Sequence, residues 1–319
     1  MRLRLRLDAK INEDATFHMQ VASGDPGTPA STNQTFTQFF QPKPFNLDRA
    51  FVSYNPKAAS AITLGIGKFP TPVMRTQMTF DDDLNFEGGW EQLNWQLRAG
   101  VDVALGAIQT AVKEASRGAD SYMLGGYGAV SFGLGRHNLQ LSAANYAWGN
   151  VDLIATAQAS GDLTSILTNR IVRNVEGNII GFASRFNVID VVTEVTLETP
   201  KHGYPLRLLA DYAINTRATN DRNQGFWVEV GYGDPGPTGT WGVTYTHGWV
   251  EQDVSPSAFV FSDMPGTNLR LNMIETSYVL KTGFSLDVTA HSSKRLFVLQ
   301  EHQPNQLLTR LHVAVVARF

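Results

Sequence analysis

The side chains best equipped for chemistry are acids and arginines, gathered in two places. Asp81, Asp82 and Asp83 stand in a row, and Glu87 follows four positions on. Near the start, Arg2, Arg4 and Arg6 recur at every second residue, and Arg49 adds a base further along. Acids opposed to arginines across a narrow aqueous passage would set up a transverse field that orients dipolar solutes and rejects apolar ones. The acidic run could instead cap a surface turn or bind calcium in a flexible loop. Three consecutive carboxylates do not easily reach one ion, however, and no spaced calcium-loop pattern follows.

Enzyme chemistry finds little support. The histidines (His18, His137, His202, His247, His291, His302, His312) are scattered, with no H-E-x-x-H pair to hold a metal. No G-x-S-x-G elbow presents a serine. Gly65-Ile66-Gly67-Lys68 and Gly126-Tyr127-Gly128 resemble phosphate loops only faintly: both lie within alternating segments, without a following helix. No cofactor, metal or catalytic residue is expected.

Composition narrows the class. The chain has 319 residues, 43% hydrophobic and only 17% charged, with no cysteine. Soluble domains carry about 25% charged residues. Mean hydropathy is nevertheless −0.16, so polar uncharged residues fill the difference. The absence of cysteine excludes a disulfide scaffold and any cysteine-ligated metal. A net charge of −3 and a pI near 6.2 offer no basic footprint for nucleic acid. No apolar run approaches the roughly 18 residues that a membrane helix requires.

Period-two alternation dominates the chain. Leu3, Leu5, Leu7 and Ile11 share one face of the first segment, opposite Arg2, Arg4, Arg6, Asp8 and Lys10. The same pattern recurs around Phe17–Val21, Ala50–Tyr54, Ile62–Ile66, Leu139–Ala143, Phe226–Tyr232, Trp241–Tyr245, Phe284–Ala290 and Leu311–Phe319. Connections alternate in length. Short ones fall at 12–14, 55–60, 98–100, 133–137, 200–205, 233–239 and 281–283. Long ones fall at 24–44, 70–89, 111–120, 148–178, 215–224, 251–267 and 292–306. An all-β transmembrane antiparallel barrel, with short periplasmic turns and longer outside loops, explains this layout better than a soluble sandwich does. It also explains the scarce charge, since an arginine facing lipid costs roughly 2–4 kcal/mol at the midplane. Aromatics near strand ends (Tyr54, Trp90, Trp148, Tyr232, Trp249) suit the interfacial girdles, with loop packing the reading for some of them.

The pattern yields about fifteen strands, whereas bacterial single-chain barrels have even numbers. The first and last strands would then run in the same direction. Met1 leads straight into the alternation with no secretory apolar core. The expectation is therefore a single barrel domain over 1–319, lacking a first strand and a leader upstream; a hairpin hidden within 148–178 is the other resolution.

Several stretches resemble the family of putative β-barrel porins of the bacterial outer membrane. They are RLRLRLDA at 2–9, LDRAFVSY at 47–54, GKFPTP at 67–72 followed by DDDLNFEG at 81–88, RFNVIDVVTE at 185–194 and GYPLRLLADY at 203–212. The resemblance implies a trimeric diffusion pore of about sixteen strands, often preceded by a region that tethers the envelope. Residues 70–89 then form the third outside loop, which in such pores folds inward. This places Asp81, Asp82, Asp83 and Glu87 at a constriction opposite Arg2, Arg4, Arg6 and Arg49. Asp190, Glu194, Arg207, Asp211, Glu229, Asp287 and Arg310 should also face the lumen, mostly as salt-bridge partners. Phe319 with Ala317, Val315, Val313 and Leu311 on one face matches the signal read by the barrel-assembly machinery. Expected partners are outer-membrane lipid, two further copies in a homotrimer, that machinery, and small hydrophilic solutes. A structural anchor and a substrate-specific channel are the alternatives.

Overall fold

A computed structural model describes residues 1–34, 39–297 and 306–319. Parts of the 24–44 and 292–306 connections, and His302, lie outside the described residues. No helix among those described is long and apolar enough to cross a membrane. The strands are β1 (Arg4–Lys10), β2 (Ala15–Ser23), β3 (Phe45–Tyr54), β4 (Ile62–Pro70), β5 (Asn85–Arg98), β6 (Val101–Lys113), β7 (Ser121–Leu134) and β8 (His137–Gly149). A helix, α1 (Asp152–Ser160), and a small hairpin of β9 (Ile171–Arg173) and β10 (Ile179–Phe182) follow. Then come β11 (Asn187–Leu197), β12 (Leu206–Asn215), β13 (Gln224–Tyr232), β14 (Trp241–Val250), β15 (Leu269–Lys281), β16 (Phe284–Arg295) and β17 (Leu308–Ala317).

Fifteen of these form one antiparallel sheet in chain order, the wall of a β-barrel, with β8 paired directly to β11. The expected count of about fifteen wall strands agrees with this sheet. The connection between β8 and β11, at 150–186, does carry a hairpin that runs past the expected 148–178, but β9 and β10 pair only with each other and never enter the wall. β1 and β17, first and fifteenth in the antiparallel series, run in the same direction and form the two edges of the sheet.

Alternation sorts the two faces. On β4, Leu64 and Ile66 are exposed outward while Phe69 is fully buried inward. On β17, Leu311, Val313 and Val315 point outward, each about two-thirds exposed, and Phe319 beyond them is exposed. The interior is not uniformly wet. Phe69, Phe80, Phe86, Tyr146, Trp148 and Phe259 join a buried apolar cluster with Leu269, Leu271 and Met273. Trp148 stacks on Phe259 at 5.4 Å, and Phe80 meets Tyr146 edge-on at 4.9 Å. Trp148 is therefore core rather than girdle, and Trp90 turns inward over Gly65. Tyr54 and Trp249 do face outward at strand ends.

One tight approach lies between β3 and β4. Gly67 has φ +128°, and a Cβ there would lie 2.3 Å from the Ala50 carbonyl oxygen. Gly67→Ala should destabilise the barrel by about 2 kcal/mol or more, from backbone strain and overlap together. Gly126→Ala should be nearly silent, because nothing lies within 4 Å of the added methyl. Urea unfolding in detergent, read by tryptophan fluorescence, compares the two.

Candidate functional site

Pro70-Thr71-Pro72 ends β4, because proline cannot extend the hydrogen-bonded ladder. The chain then turns into the barrel, and Val73, Met78, Phe80 and Leu84 bury themselves in the core cluster. Polar anchors fix its path. Thr79 Oγ1 donates to Asp190 Oδ2 at 3.0 Å on β11, and Thr76 Oγ1 donates to Asp211 on β12. The Asp81 amide donates to the Phe259 carbonyl at 2.9 Å, and the Phe261 amide to the Gln77 carbonyl at 2.9 Å. The 251–268 connection is thus clamped to the inward loop inside the barrel mouth.

The loop meets the arginine wall at Asp83. Arg4 pairs with its carboxylate, Arg2 Nη1 lies at 3.5 Å, and Thr32 donates through its amide at 3.1 Å and hydroxyl at 3.0 Å. Burial works against charge on Asp83, but Arg4 and Arg2 outweigh it and hold its carboxyl below the ordinary value. Asp82 reaches open space, held by Arg75 at 2.7 Å and Gln77 at 2.8 Å. Asp81 is buried. Its carboxylate accepts from the Asp83 amide at 2.7 Å and the Ser262 amide at 2.6 Å. Those bonds favour its charge, yet burial dominates and pushes its pKa up to about 6.

Of the other expected constriction residues, Arg6 and Arg49 stay on the inner wall near Arg4, and Glu87 turns away. Arg6 pairs with Asp8 at 2.9 Å along the wall, and Asp8 in turn holds His18 at 2.6 Å. Arg49 Nε donates to Asn85 Oδ1 at 2.8 Å. Glu87 faces outward beside Lys68, at 2.7 Å, on the face opposite buried Phe86 and Phe69.

Of the expected lumen residues, Arg207 bridges Glu194 at 3.5 Å and Glu229 at 2.9 Å. Asp287 accepts from Ser277 at 2.6 Å, and Arg310 Nη1 donates to the Asp263 carbonyl at 3.0 Å. Asp190 and Asp211 point inward but are buried beneath the loop, side chain against side chain, rather than wet or salt-bridged.

Between the loop and the inner faces of β14–β17 lies a cavity of about 880 Å³. Asp82, Asp263, Glu275, Asp287, Arg2 and His312 line it. A second, of about 420 Å³, is lined by Arg75, Asp82, Glu194, Arg207, Glu229 and Glu275. Glu275 borders both, has no hydrogen-bond or ion-pair partner among the described residues, and escaped the sequence reading. β15 buries Leu269, Leu271 and Met273 inside and sets Arg270 and Asn272 outside, so its upper half lacks the apolar-out signal.

A carboxyl whose pKa is raised in the folded state stabilises that state most when protonated. The contribution of Asp81 is therefore full below about pH 4 and lost as pH rises through about 6, a swing of up to about 3 kcal/mol. Asp81→Asn should flatten this part of the stability profile between pH 4 and 7, as read by urea unfolding in detergent at stepped pH.

Comparison with known proteins places this architecture. Residues 1–165, about half the chain, match the family described as "Putative porin". No curated protein matches. Among solved structures, OprB of Pseudomonas putida is similar at a TM-score of 0.54 and 12% identity, covering 92% of this chain and 81% of that one. OmpF of Salmonella typhi, in complex with daunomycin, gives 0.52 and 10% identity, with 91% and 81% covered. The outer membrane channel DcaP of Acinetobacter baumannii gives 0.50 and 10% identity, with 99% and 84% covered. At such identities these three speak to the fold. Family match, alternating wall and inward loop converge: the chain belongs to the putative porin family, and it is a channel-type β-barrel of the bacterial outer membrane.

Proposed function

We propose that the chain is a passive diffusion channel for small hydrophilic solutes and ions, and that it prefers cations. The observation that carries this reading is the fate of the charges around the inward loop. The arginines nearest it, Arg2 and Arg4, are both engaged by Asp83. The larger cavity beyond is bordered by Asp82, Asp263, Glu275 and Asp287, against Arg2 and His312. Carboxylates lining a confined aqueous path concentrate cations and repel anions, more strongly at low salt.

In this reading the loop does two jobs. Its apolar side chains close part of the bore, which sets a size limit, and Asp82 stands in the part left open. The reaction is transport without chemistry, driven by the gradient of the solute. A homotrimer follows from the family resemblance. The packing of loops into the barrel mouth favours a second reading, a structural barrel that anchors the envelope and conducts nothing.

Single-channel recording in a planar bilayer under a KCl gradient separates these. The expected result is stable steps in groups of three, with a reversal potential of cation sign. Glu275→Gln with Asp287→Asn should move that potential toward zero, and Arg2→Gln should move it further toward the cation limit. An anion-sign reversal potential would overturn the selectivity. A folded, heat-modifiable barrel without conductance would leave the anchor.

A further inference from the structure

The wall carries an arrangement of charge on its lipid side that neither the pore nor the fold uses. Arg270 on β15 and Lys294 on β16 are direct cross-strand partners. Their neighbours Leu269, Leu271 and Ser293 are buried inward, so both cations project from the outer face, where both are exposed. Like charges directly opposite each other on one face destabilise a sheet. Neither has a hydrogen-bond or ion-pair partner among the described residues. Glu251, the acid next to Trp249 on the adjoining chain, instead accepts from the Gln224 amide at 3.0 Å, towards β13.

The surroundings are rich in donors. One register step below, Asn272 and Ser292 are partners on the same face. Both Tyr245 Oη, as donor, and His247 Nδ1 reach Asn272 Oδ1 at 2.9 Å, so the carbonyl is occupied and the amide NH₂ remains to donate. Two cations, an amide and a hydroxyl make a cradle for a multiply charged oxyanion such as a phosphate.

Height and continuity identify the carrier of that phosphate. The patch lies at the end of the wall that bears the long connections, the outside end of such barrels. Arg270 is the register partner of Trp249, an exposed aromatic of the kind that marks the headgroup level. Directly below, Ile274, Ala290 and Leu311 form a continuous apolar strip, with Ile274 and Leu311 exposed. Polar cradle above and apolar strip beneath match an amphiphile, not a free ion. We propose that the outer face of β14–β17 is a binding site for an anionic, phosphate-bearing membrane lipid, its acyl chains lying along Ile274 and Leu311. This assignment needs the barrel to sit in the membrane and is independent of whether it conducts.

The test uses the purified full chain in an uncharged detergent, with native mass spectrometry to count bound lipid and thermal unfolding to follow its effect. Phosphatidic acid should bind about tenfold more tightly than phosphatidylcholine of the same chain length, and should raise the unfolding temperature. Arg270→Gln with Lys294→Gln should lose that preference while remaining at least as heat-stable as the parent in lipid-free detergent, because the repulsion is gone. Lys113→Gln, which removes an exposed base at the end of β6, should retain it. Should the double variant fail to fold, the single variants carry the test, each with a partial loss of the preference. Equal binding of the two lipids by the parent, or an undiminished preference in the variants, would overturn the site. The same stabilisation from inorganic phosphate alone would overturn the lipid as its ligand.

Discussion

Everything in this molecule follows from the need to pair backbone amides and carbonyls where no water can do so. In the hydrocarbon layer an unpaired peptide group costs several kcal/mol, so the spanning segments must satisfy each other laterally. The fifteen wall strands do this in strict chain order, and even the long insertion carrying α1 and the β9–β10 hairpin leaves the β8–β11 ladder continuous. Pairing of this kind commits every wall residue to one of two solvents, lipid or interior. A leucine and an arginine can therefore be neighbours in sequence and sit in different media, as Leu3 and Arg4 do.

The interior is then a packing problem with an unusual answer. A barrel of this girth cannot be filled by wall side chains alone, so chain from the connections enters it. The loop after β4 brings Phe80 onto Tyr146 and Trp148 and Met78 over Gly225, while the 251–268 connection adds Val254 and Phe259. Apolar burial supplies the energy, and a few directed hydrogen bonds set the position. Thr76 and Thr79 on Asp211 and Asp190, and the Ser262 amide on Asp81, tie the inserted segments to the wall and to one another. The space left over is polar because the apolar side chains have already been consumed. Acids outnumber bases along it, with Asp82, Asp263, Glu275 and Asp287 against Arg2 and His312, and Glu275 has no hydrogen-bond or ion-pair partner among the described residues.

Legibility tracked the strength of the two-solvent rule. β1 and β17 alternate cleanly because one face meets lipid and the other meets water or charge. β15 did not, since its upper inner positions, Leu269 to Met273, touch apolar loop residues while Arg270 and Asn272 occupy the outer rim. Trp148 and Trp90 were misplaced at the girdles for a related reason: an aromatic near a strand end suits either an interface or a filled interior, and only the neighbours decide. The inward course of residues 71–84 was expected from the resemblance to porins, whose third outside loop folds inward, and from no local pattern. Glu87 was not separable from Asp81–Asp83, because a single register step turns a side chain from the interior to the outside.

The period-two pattern, the two classes of connection and the scarcity of charge determined by themselves an antiparallel barrel wall and its orientation, since these depend only on local alternation and solvent. Which acids meet which bases was decided by tertiary structure alone. Asp83 lies some eighty residues from Arg2 and Arg4, and Asp81 lies still further from Ser262. Such contacts depend on how a loop folds inside the wall, where shape and burial of many side chains act together and no local periodicity records the result.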